Sequence, residues 1–232
     1  MIRILFTGGG TGGHIYPILS VVEELAISGP NAEMDLRYFG VPGNYKKLLE
    51  ENGIKVSKIL PAKLRRYFDI RNFIDILILL PLSFVQALWK VFWFMPDVLF
   101  SKGGPGSLPV VLACWFFHVP IVIHDSDAVM GLSNKLAFRF AKRVAVSFES
   151  TVAKLSPKDQ NIGGKIALIG NPIRHSFTGA PVDQIYSKKA FGMNSEKPVI
   201  LVIGGSQGAV KINNFMLQVA GEIISKFQVL HQ

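Results

Sequence analysis

The sequence has almost no cysteine and no recognisable cluster of metal ligands. Cys114 is the single cysteine among 232 residues, so no disulfide can form within the chain. It lies in the apolar run 110–117, where we expect a buried thiol that packs as a small hydrophobic group. Because no group of His, Cys, Asp and Glu residues has the spacing of metal ligands, we expect neither a bound metal ion nor another cofactor.

Acidic residues are scarce as well. The chain has 16 Asp and Glu against 25 Lys and Arg, a formal net charge of +9, which favours an anionic partner: nucleic acid, an anionic bilayer or a phosphorylated substrate. Basic residues interleaved with exposed aromatics, a zinc signature and a helix-turn-helix signature are all missing, which argues against nucleic acid. A signal-peptide pattern is also missing at the start of the chain, and we therefore expect a cytoplasmic location.

Glycine is abundant, with 22 residues, and two loops are rich in it. Gly8-Gly9-Gly10-Thr11-Gly12-Gly13-His14 follows the apolar run 2–6, and Gly204-Gly205-Ser206-Gln207-Gly208-Ala209 follows the apolar run 199–203. A helical stretch comes after each loop. A glycine loop between a strand and a helix can cradle phosphate, because the free N–H groups of the helix attract an anion. Neither loop has the Walker A or G-x-G-x-x-G spacing, which argues against ATPase and NAD-binding functions.

Short β-branched runs alternate with helical stretches, the pattern of an α/β fold with a parallel sheet covered on both faces. The predicted strands lie near residues 2–7, 34–39, 55–60, 97–101, 120–124, 143–147 and 166–169. We assign residues 1–172 to a first domain, 173–197 to a linker and 198–232 to the start of a second domain. One or two strands cannot bury a helix face, so we expect this second domain to be incomplete and the chain to be a fragment or half of a split protein.

Polar motifs follow several of the predicted strands. These motifs are the first glycine loop, residues 103–107 and residues 124–127. In open parallel sheets, ligands bind beyond the carboxyl ends of the strands. We therefore expect the three motifs to converge on one rim of the sheet.

Residues 73–95 are very apolar. Their charge-free part, residues 76–89, is shorter than the roughly 20 residues that cross a bilayer, and we expect Pro81 to disrupt a continuous helix. A core helix of the sheet and a transmembrane span are alternatives, but runs that are apolar on every side and are edged by cations favour peripheral attachment to an anionic membrane. The candidate contact residues are Ile76, Leu79, Leu80, Trp89, Phe92, Trp93, Arg65, Arg66, Arg71 and Lys90.

Motifs distributed over nearly the whole chain resemble those of the MurG family, the peptidoglycan GlcNAc transferases that convert lipid I to lipid II. They are Gly9-Gly10-Thr11-Gly12-Gly13-His14, the Gly103-Gly104 loop, His124 with its acidic neighbour, Gly131-Leu132-Ser133-Asn134-Lys135, Gly170-Asn171-Pro172-Ile173-Arg174 and the second glycine loop. Together, in this order, they are specific, whereas none of them would be so alone.

The resemblance implies a fold of the GT-B type, with two Rossmann-like domains, the second of them incomplete here. It implies inverting transfer of GlcNAc from UDP-GlcNAc to the C4 hydroxyl of MurNAc on undecaprenyl diphosphate, at the cytoplasmic face of the membrane. Cell-wall synthesis, cell shape and cell division depend on that reaction. Because most donor contacts in the family come from the second domain, we expect the chain alone to be inactive.

The resemblance also assigns roles to residues. His14 is the candidate base, with a hydrogen bond to its own loop as the alternative role. The residues expected to bind the acceptor diphosphate are Gly10, Thr11, Gly12, Gly13, Gly103 and Gly104. The residues expected to bind the donor are Thr11, Gly12, Gly13, Asp127, Arg174 and Ser206. The alternative role of Arg174 is to tie the linker to the sheet, and that of Ser206 is to cap its helix. The supporting residues are His124, Asp125, Asn134 and Gln207.

One motif departs from the family pattern. Where many members have His-Glu-Gln-Asn, this chain has His124-Asp125-Ser126-Asp127. Ionised Asp127 accepts hydrogen bonds and donates none, which puts its donor-binding role in doubt and makes it an alternative base.

Three other functions are alternatives. The chain is alternatively another lipid-directed GT-B glycosyltransferase, or the non-catalytic, membrane-anchoring half of a split GlcNAc transferase. A NAD-dependent dehydrogenase is a third alternative. The second glycine loop argues against a natural split, because a half of this kind would not carry the first strand and loop of its partner.

Overall fold

The computed structural model describes residues 1–61, 75–104, 106–156, 164–179, 182–205 and 208–232, without the side chains of Asp75 and Ile76. The chain forms two compact units, Met1–Thr178 and Gly179–Gln232. The predicted linker, residues 173–197, begins in the first unit and ends in the second.

A seven-stranded sheet forms the centre of the first unit. Its strands are β1 (Ile2–Thr7), β2 (Met34–Gly40), β3 (Lys55–Lys58), β4 (Val98–Ser101), β5 (Ile121–Asp125), β6 (Arg143–Val146) and β7 (Ile166–Leu168). Their order is β3-β2-β1-β4-β5-β6-β7, and every adjacent pair is parallel. The predicted α/β fold is confirmed. The connections run in opposite directions from β1, so the loops after β1 and β4 border a crevice.

Helices cover both faces of this sheet. They are α1 (Gly12–Ser28), α2 (Lys46–Glu51), α3 (Leu80–Phe94), α4 (Ser107–Phe116), α5 (Leu132–Ala137) and α6 (Glu149–Ala153). Because successive side chains of a strand point to opposite faces, Phe6 of β1 packs in one buried cluster with Ile15 and Ile18 of α1. Leu5 belongs to the other cluster, with residues of α3 and α4 that include Cys114. Cys114 is fully buried, as predicted.

The apolar segment before β4 is helical throughout its described part. A π-helical stretch, Asp75–Leu79, leads directly into α3. The prediction that Pro81 disrupts a continuous helix is wrong: Pro81 lies in the first turn of α3, where a missing N–H is tolerated, and the hydrogen-bonding pattern changes from π to α there.

The second unit contains α7 (Gln184–Ala190), β8 (Val199–Val202), α8 (Val210–Lys226) and β9 (Gln228–His231). β8 and β9 form a parallel pair. Two strands offer little surface to cover a helix, and Phe215 and Leu217 of α8 are 59% and 75% exposed.

Candidate active site

The loops after β1, β4 and β5 meet at the carboxyl edge of the sheet, where the strand order reverses. A Cβ at Gly104, after β4, would lie 3.0 Å from the backbone nitrogen of Gly9, after β1. A Cβ at Gly103 would lie 2.5 Å from Oδ1 of Asn134, whose amide donates to the carbonyl oxygen of His124 in β5 at 3.1 Å. The structure thus brings the three predicted motifs together.

The loop after β1 is fixed from the side of β2. The Tyr38 hydroxyl, which is buried, donates to the carbonyl oxygen of Gly8 at 2.7 Å. A Cβ at Gly10 would lie 2.8 Å from the backbone nitrogen of Gly43 and 2.8 Å from the carbonyl oxygen of Val41. The close contact between these two backbone segments therefore explains why glycine is needed at position 10, which the sequence suggests as a phosphate contact.

The start of α1 is open to an anion. Thr11 is the N-cap residue, yet its side chain does not cap the helix, because its Oγ1 lies 2.8 Å from Nδ1 of His14. Gly13 is exposed, and a Cβ there would meet nothing nearer than Thr11 Oγ1 at 4.0 Å. The first N–H groups of a helix have no partner within the helix. Gly13 therefore offers its N–H group at the positive end of a helix of 17 residues, whereas Gly12 is buried, and a Cβ there would lie 3.1 Å from the Tyr45 hydroxyl oxygen.

The loop after β4 depends on two glycines with left-handed backbone conformations. Gly103 has φ +77° and Gly104 has φ +88°. A Cβ at Gly104 would lie 2.7 Å from Nε2 of His14, so the imidazole lies directly against this loop. Side chains at either position would displace the groups that make up the site.

Asp125 organises the loop that follows β5. Its Oδ1 accepts the N–H of Asp127 at 2.9 Å, and its Oδ2 accepts the N–H of Gly131 at 3.0 Å and the amide of Asn134 at 2.9 Å. Both Asp125 and Asn134 are buried. Their contacts position the loop and, through it, Asp127, whose own side chain is exposed.

His124 connects β5 to the end of β7. Its ring is fully buried, and its Nε2 lies 3.0 Å from the carbonyl oxygen of Gly170. Because a carbonyl only accepts, Nε2 carries the proton and donates it. Burial, and then the charge of Lys102, lower the pKa of His124 to about 4. The ring is therefore neutral at physiological pH and positions the segment at Gly170.

Lys102 lies in the loop after β4 that the sequence suggests as an anion-binding loop, but the sequence assigns no role to its side chain. Its side chain is buried, and its Nζ donates to Oγ of Ser126, across from β4 to the loop after β5. Burial lowers the pKa of Lys102 to about 8, and the charges of Asp125 and Asp127 oppose this shift. The feature of the sequence that indicates a role for Lys102 is its position in a glycine loop immediately after a strand.

His14 lies within reach of these charges. Burial lowers its pKa first and Lys102 lowers it further, while Asp127 and Asp125 act in the opposite direction. A lowered pKa keeps the imidazole neutral and able to accept a proton near pH 7. Because the Thr11 hydroxyl can accept a hydrogen bond from Nδ1–H, the contact between them is compatible with a free lone pair on Nε2.

Arg174 lies on the flank of α1. Its guanidinium is 5.3 Å from the ring centre of Tyr16 and 5.2 Å from that of Phe177. The next residue, His175, contacts the Glu24 carboxylate of α1 through Nε2 at 2.8 Å. These contacts fasten the segment after β7 to α1, whereas the alternative role predicted for Arg174 is a contact between the linker and the sheet. Two further predicted site residues, Ser206 and Gln207, lie outside the described residues.

The exposed face of α3 carries an apolar patch, defined by Leu82, Val85, Trp89, Phe92 and Trp93, each more than half exposed. The ring centres of Trp89 and Trp93 are 5.7 Å apart. Trp115 and Phe116, at the end of α4, are 54% and 57% exposed and were not predicted. Within the described residues, Leu77–Phe94 is the one helix long and apolar enough to cross a membrane, a test that the core helix of a soluble protein can also pass.

Several predicted membrane contacts do not lie in this patch. Leu79 and Leu80 are half-buried, and Lys90 is half-buried with its Nζ 6.0 Å from the ring centre of Phe39. Arg65, Arg66 and Arg71 lie outside the described residues, as does the side chain of Ile76.

Comparison with known proteins gives consistent results. The glycosyltransferase family 28 N-terminal domain matches residues 4–146. A UDP-N-acetylglucosamine–N-acetylmuramyl-(pentapeptide) pyrophosphoryl-undecaprenol N-acetylglucosamine transferase of Bacillus cereus is 37% identical over 232 residues, and a transferase of the same name from Clostridium botulinum is 38% identical over 236 residues. Each match covers 100% of this chain and 62% of the relative, so the chain spans less than two thirds of the length of these relatives.

Solved structures share the fold. The crystal structure of MurG from Acinetobacter baumannii matches 96% of this chain and 56% of its own, with a TM-score of 0.62 and 21% identity. A UDP-GlcNAc 2-epimerase from Neisseria meningitidis, bound to UDP-GlcNAc, matches 98% of this chain and 64% of its own, with a TM-score of 0.63 and 13% identity.

Proposed function

Because the chain belongs to the glycosyltransferase family 28 N-terminal domain family, we propose that it is the acceptor-binding part of an inverting GlcNAc transferase of peptidoglycan synthesis. The reaction moves GlcNAc from UDP-GlcNAc to the C4 hydroxyl of MurNAc-pentapeptide on undecaprenyl diphosphate, in line with the activity for which the relatives are named. The observation that carries the proposal is a neutral imidazole, His14, between two glycine loops at the crevice of the sheet.

In this reaction His14 acts as the base. Nε2 accepts the proton of the C4 hydroxyl while the oxygen of that hydroxyl forms a bond to the anomeric carbon of GlcNAc. The bond from the anomeric carbon to the diphosphate of UDP breaks, and the configuration at that carbon is inverted. The Thr11 hydroxyl accepts Nδ1–H and holds the ring in the required tautomer. After the transfer, the imidazolium has Asp127 nearby to stabilise its charge.

The acceptor diphosphate binds at the start of α1. The exposed Gly13 supplies an N–H group there, and the ammonium of Lys102 adds a positive charge to the rim. The donor-binding roles that the resemblance implies for Arg174 and for Ser206 stay predictions.

We further propose attachment to the cytoplasmic face of the membrane through the apolar patch on α3. Exposed tryptophan and phenylalanine side chains suit the interface of a bilayer, and the net charge of +9 suits anionic lipid. Peripheral attachment agrees with the buried inner face of α3, formed by Ser83, Ala87, Val91 and Phe94, which packs on the sheet rather than facing lipid.

The decisive experiment measures transfer of radiolabelled GlcNAc to a lipid I analogue by the chain extended with its downstream reading frame. We expect transfer by the extended chain and none by the chain alone. In the extended chain, His14→Asn should lower kcat by roughly 100-fold or more, whereas Asp127→Asn should change it much less. The reverse result would make Asp127 the base. No transfer by any form, with vesicle binding retained, would favour a non-catalytic membrane anchor.

Membrane attachment is tested separately, by flotation with vesicles of phosphatidylglycerol and phosphatidylcholine. Trp93→Ser should weaken binding by about tenfold or more, because burial of a large apolar side chain contributes roughly 1.5–3 kcal/mol. Leu217→Ser in α8 is the matched control, since Leu217 is 75% exposed and Trp93 68%. Equal losses for the two variants would exclude a specific role for the patch.

A further inference from the structure

A cavity of about 340 Å³ lies between α5, α6 and the loop that follows β5. Val129, Met130 and Phe138 form part of an apolar wall, while Lys135 of α5 and Lys154 after α6 contribute two ammonium groups. Its volume is at the lower end of the range of about 300–1,000 Å³ that is typical of ligand sites. None of the roles assigned to the active site uses this cavity.

The two lysines favour an anionic ligand. Both are exposed, and no carboxylate of the described chain lies within ion-pair distance of either ammonium. Two cations above an apolar wall suit a molecule that has carboxylates and also carbon-rich side chains. A short acidic peptide has this chemistry.

The cavity shares a wall with the active site. Thr151 lines the cavity, and its hydroxyl donates to the carbonyl oxygen of Asp127 at 2.6 Å. Met130 also lines it and precedes Gly131, whose N–H donates to Asp125. The loop that carries Asp127 on the rim therefore also has residues that line the cavity. A ligand that occupies both the rim and the cavity must have two parts that lie close together.

The acceptor of the proposed reaction meets this condition. The peptide of a muramyl-pentapeptide is attached through the lactyl ether at C3, and C3 is the ring carbon next to the reacting C4. A peptide on this sugar must leave the rim beside His14 and Asp127. We propose, on the basis of the proposed function, that this cavity binds the peptide of the acceptor and that Lys135 and Lys154 pair with its carboxylates.

The test uses the chain with isotope-labelled methionine methyl groups and a soluble probe, N-acetylmuramyl-pentapeptide without pyrophosphate and lipid. Met130 is 7% exposed and forms part of the cavity wall, so its methyl resonance reports occupancy. We expect a saturable shift of this resonance with the probe, and no shift with N-acetylmuramic acid that lacks the peptide. No shift at millimolar probe, or an equal shift with the sugar alone, would overturn the proposal.

Charge variants test the role of the lysines. Lys135→Gln combined with Lys154→Gln should weaken probe binding about tenfold, whereas Lys142→Gln, at an exposed lysine after α5 that is not in the cavity wall, should leave it unchanged. Equal affinity of the double variant and the parent chain would contradict the pairing. The transfer assay is independent of this result. Probe binding at Met130 without any transfer by the extended chain would refute the proposed function alone, whereas transfer without probe binding would refute the peptide site alone.

Discussion

Replacing Gly103 by alanine should destabilise the first unit far more than the same change at Gly53. Both glycines have φ +77°, so the backbone strain of an alanine is matched, at about 1–2 kcal/mol. A Cβ at Gly53 would meet nothing within 4 Å. A Cβ at Gly103 would lie 2.5 Å from Oδ1, 2.8 Å from Cγ and 2.9 Å from Nδ2 of Asn134.

Asn134 has little room to move away, because it is 4% exposed and its Nδ2 donates to Asp125 and to the carbonyl oxygen of His124. Overpacking of this kind costs roughly 1–3 kcal/mol, and the loss of a buried hydrogen bond costs about 1–3 kcal/mol more. Gly103→Ala should therefore lower the free energy of unfolding by about 2–6 kcal/mol more than Gly53→Ala does.

Urea denaturation followed by tryptophan fluorescence measures this difference, since Trp89, Trp93 and Trp115 all lie in the first unit. At a slope of about 2 kcal/mol per molar urea, the midpoint of Gly103→Ala should lie roughly 1–3 M below that of Gly53→Ala. Shortening the neighbour, as Asn134→Ala in the Gly103→Ala background, should cost less than the sum of the single changes. Equal midpoints for the two glycine variants would refute the reasoning.

Three further predictions concern titrating groups. The pKa of His124 is about 4 in the folded chain and about 6.5 in the unfolded chain, so the unfolded state binds the proton first as the pH falls. The contribution of His124 to stability is therefore full above pH 6.5 and is lost towards pH 4, by about 2 kcal/mol at pH 5. In chemical denaturation at several pH values, His124→Gln should weaken this pH dependence. NMR titration should show a higher pKa of His14 in Lys102→Met and a lower one in Asp127→Asn, and shifts of the same sign would contradict the electrostatic assignment. Burial raises the pKa of the Cys114 thiol, so a thiol reagent should modify it only on unfolding, and rapid reaction of the folded chain would disprove its burial.

The sheet and the position of the site could be predicted from the sequence. Each β-branched run in the first unit forms a strand, and the polar motifs converge because the carboxyl ends of parallel strands share one edge. The family resemblance, based on the order of the motifs, is confirmed by the match to residues 4–146. These features depend on local patterns and on general rules of chain topology.

The features that could not be predicted depend on tertiary contacts. A lysine in a glycine loop is usually solvated, and only the packing of three loops shows that Lys102 is buried against Ser126. The 54% exposure of Trp115 likewise depends on which side chains pack against the end of α4, and the residue pattern does not show this. The helical conformation at Pro81 reflects a change from π to α hydrogen bonding that composition does not reveal.

The two site histidines differ in what their hydrogen-bond partners allow. His124 faces a carbonyl oxygen, which only accepts, so Nε2 must keep its proton and the ring cannot pass it on without losing that bond. His14 faces a hydroxyl, which accepts from or donates to Nδ1, so its ring can change protonation and keep the contact with Thr11. Burial and Lys102 lower both pKa values, but the second nitrogen of His124, Nδ1, is buried without a hydrogen-bond partner, whereas His14 is half-buried and its Nε2 lies against the Gly104 loop on the rim. Of these two rings, only His14 is therefore suited to proton transfer, whereas His124 is suited to positioning the chain.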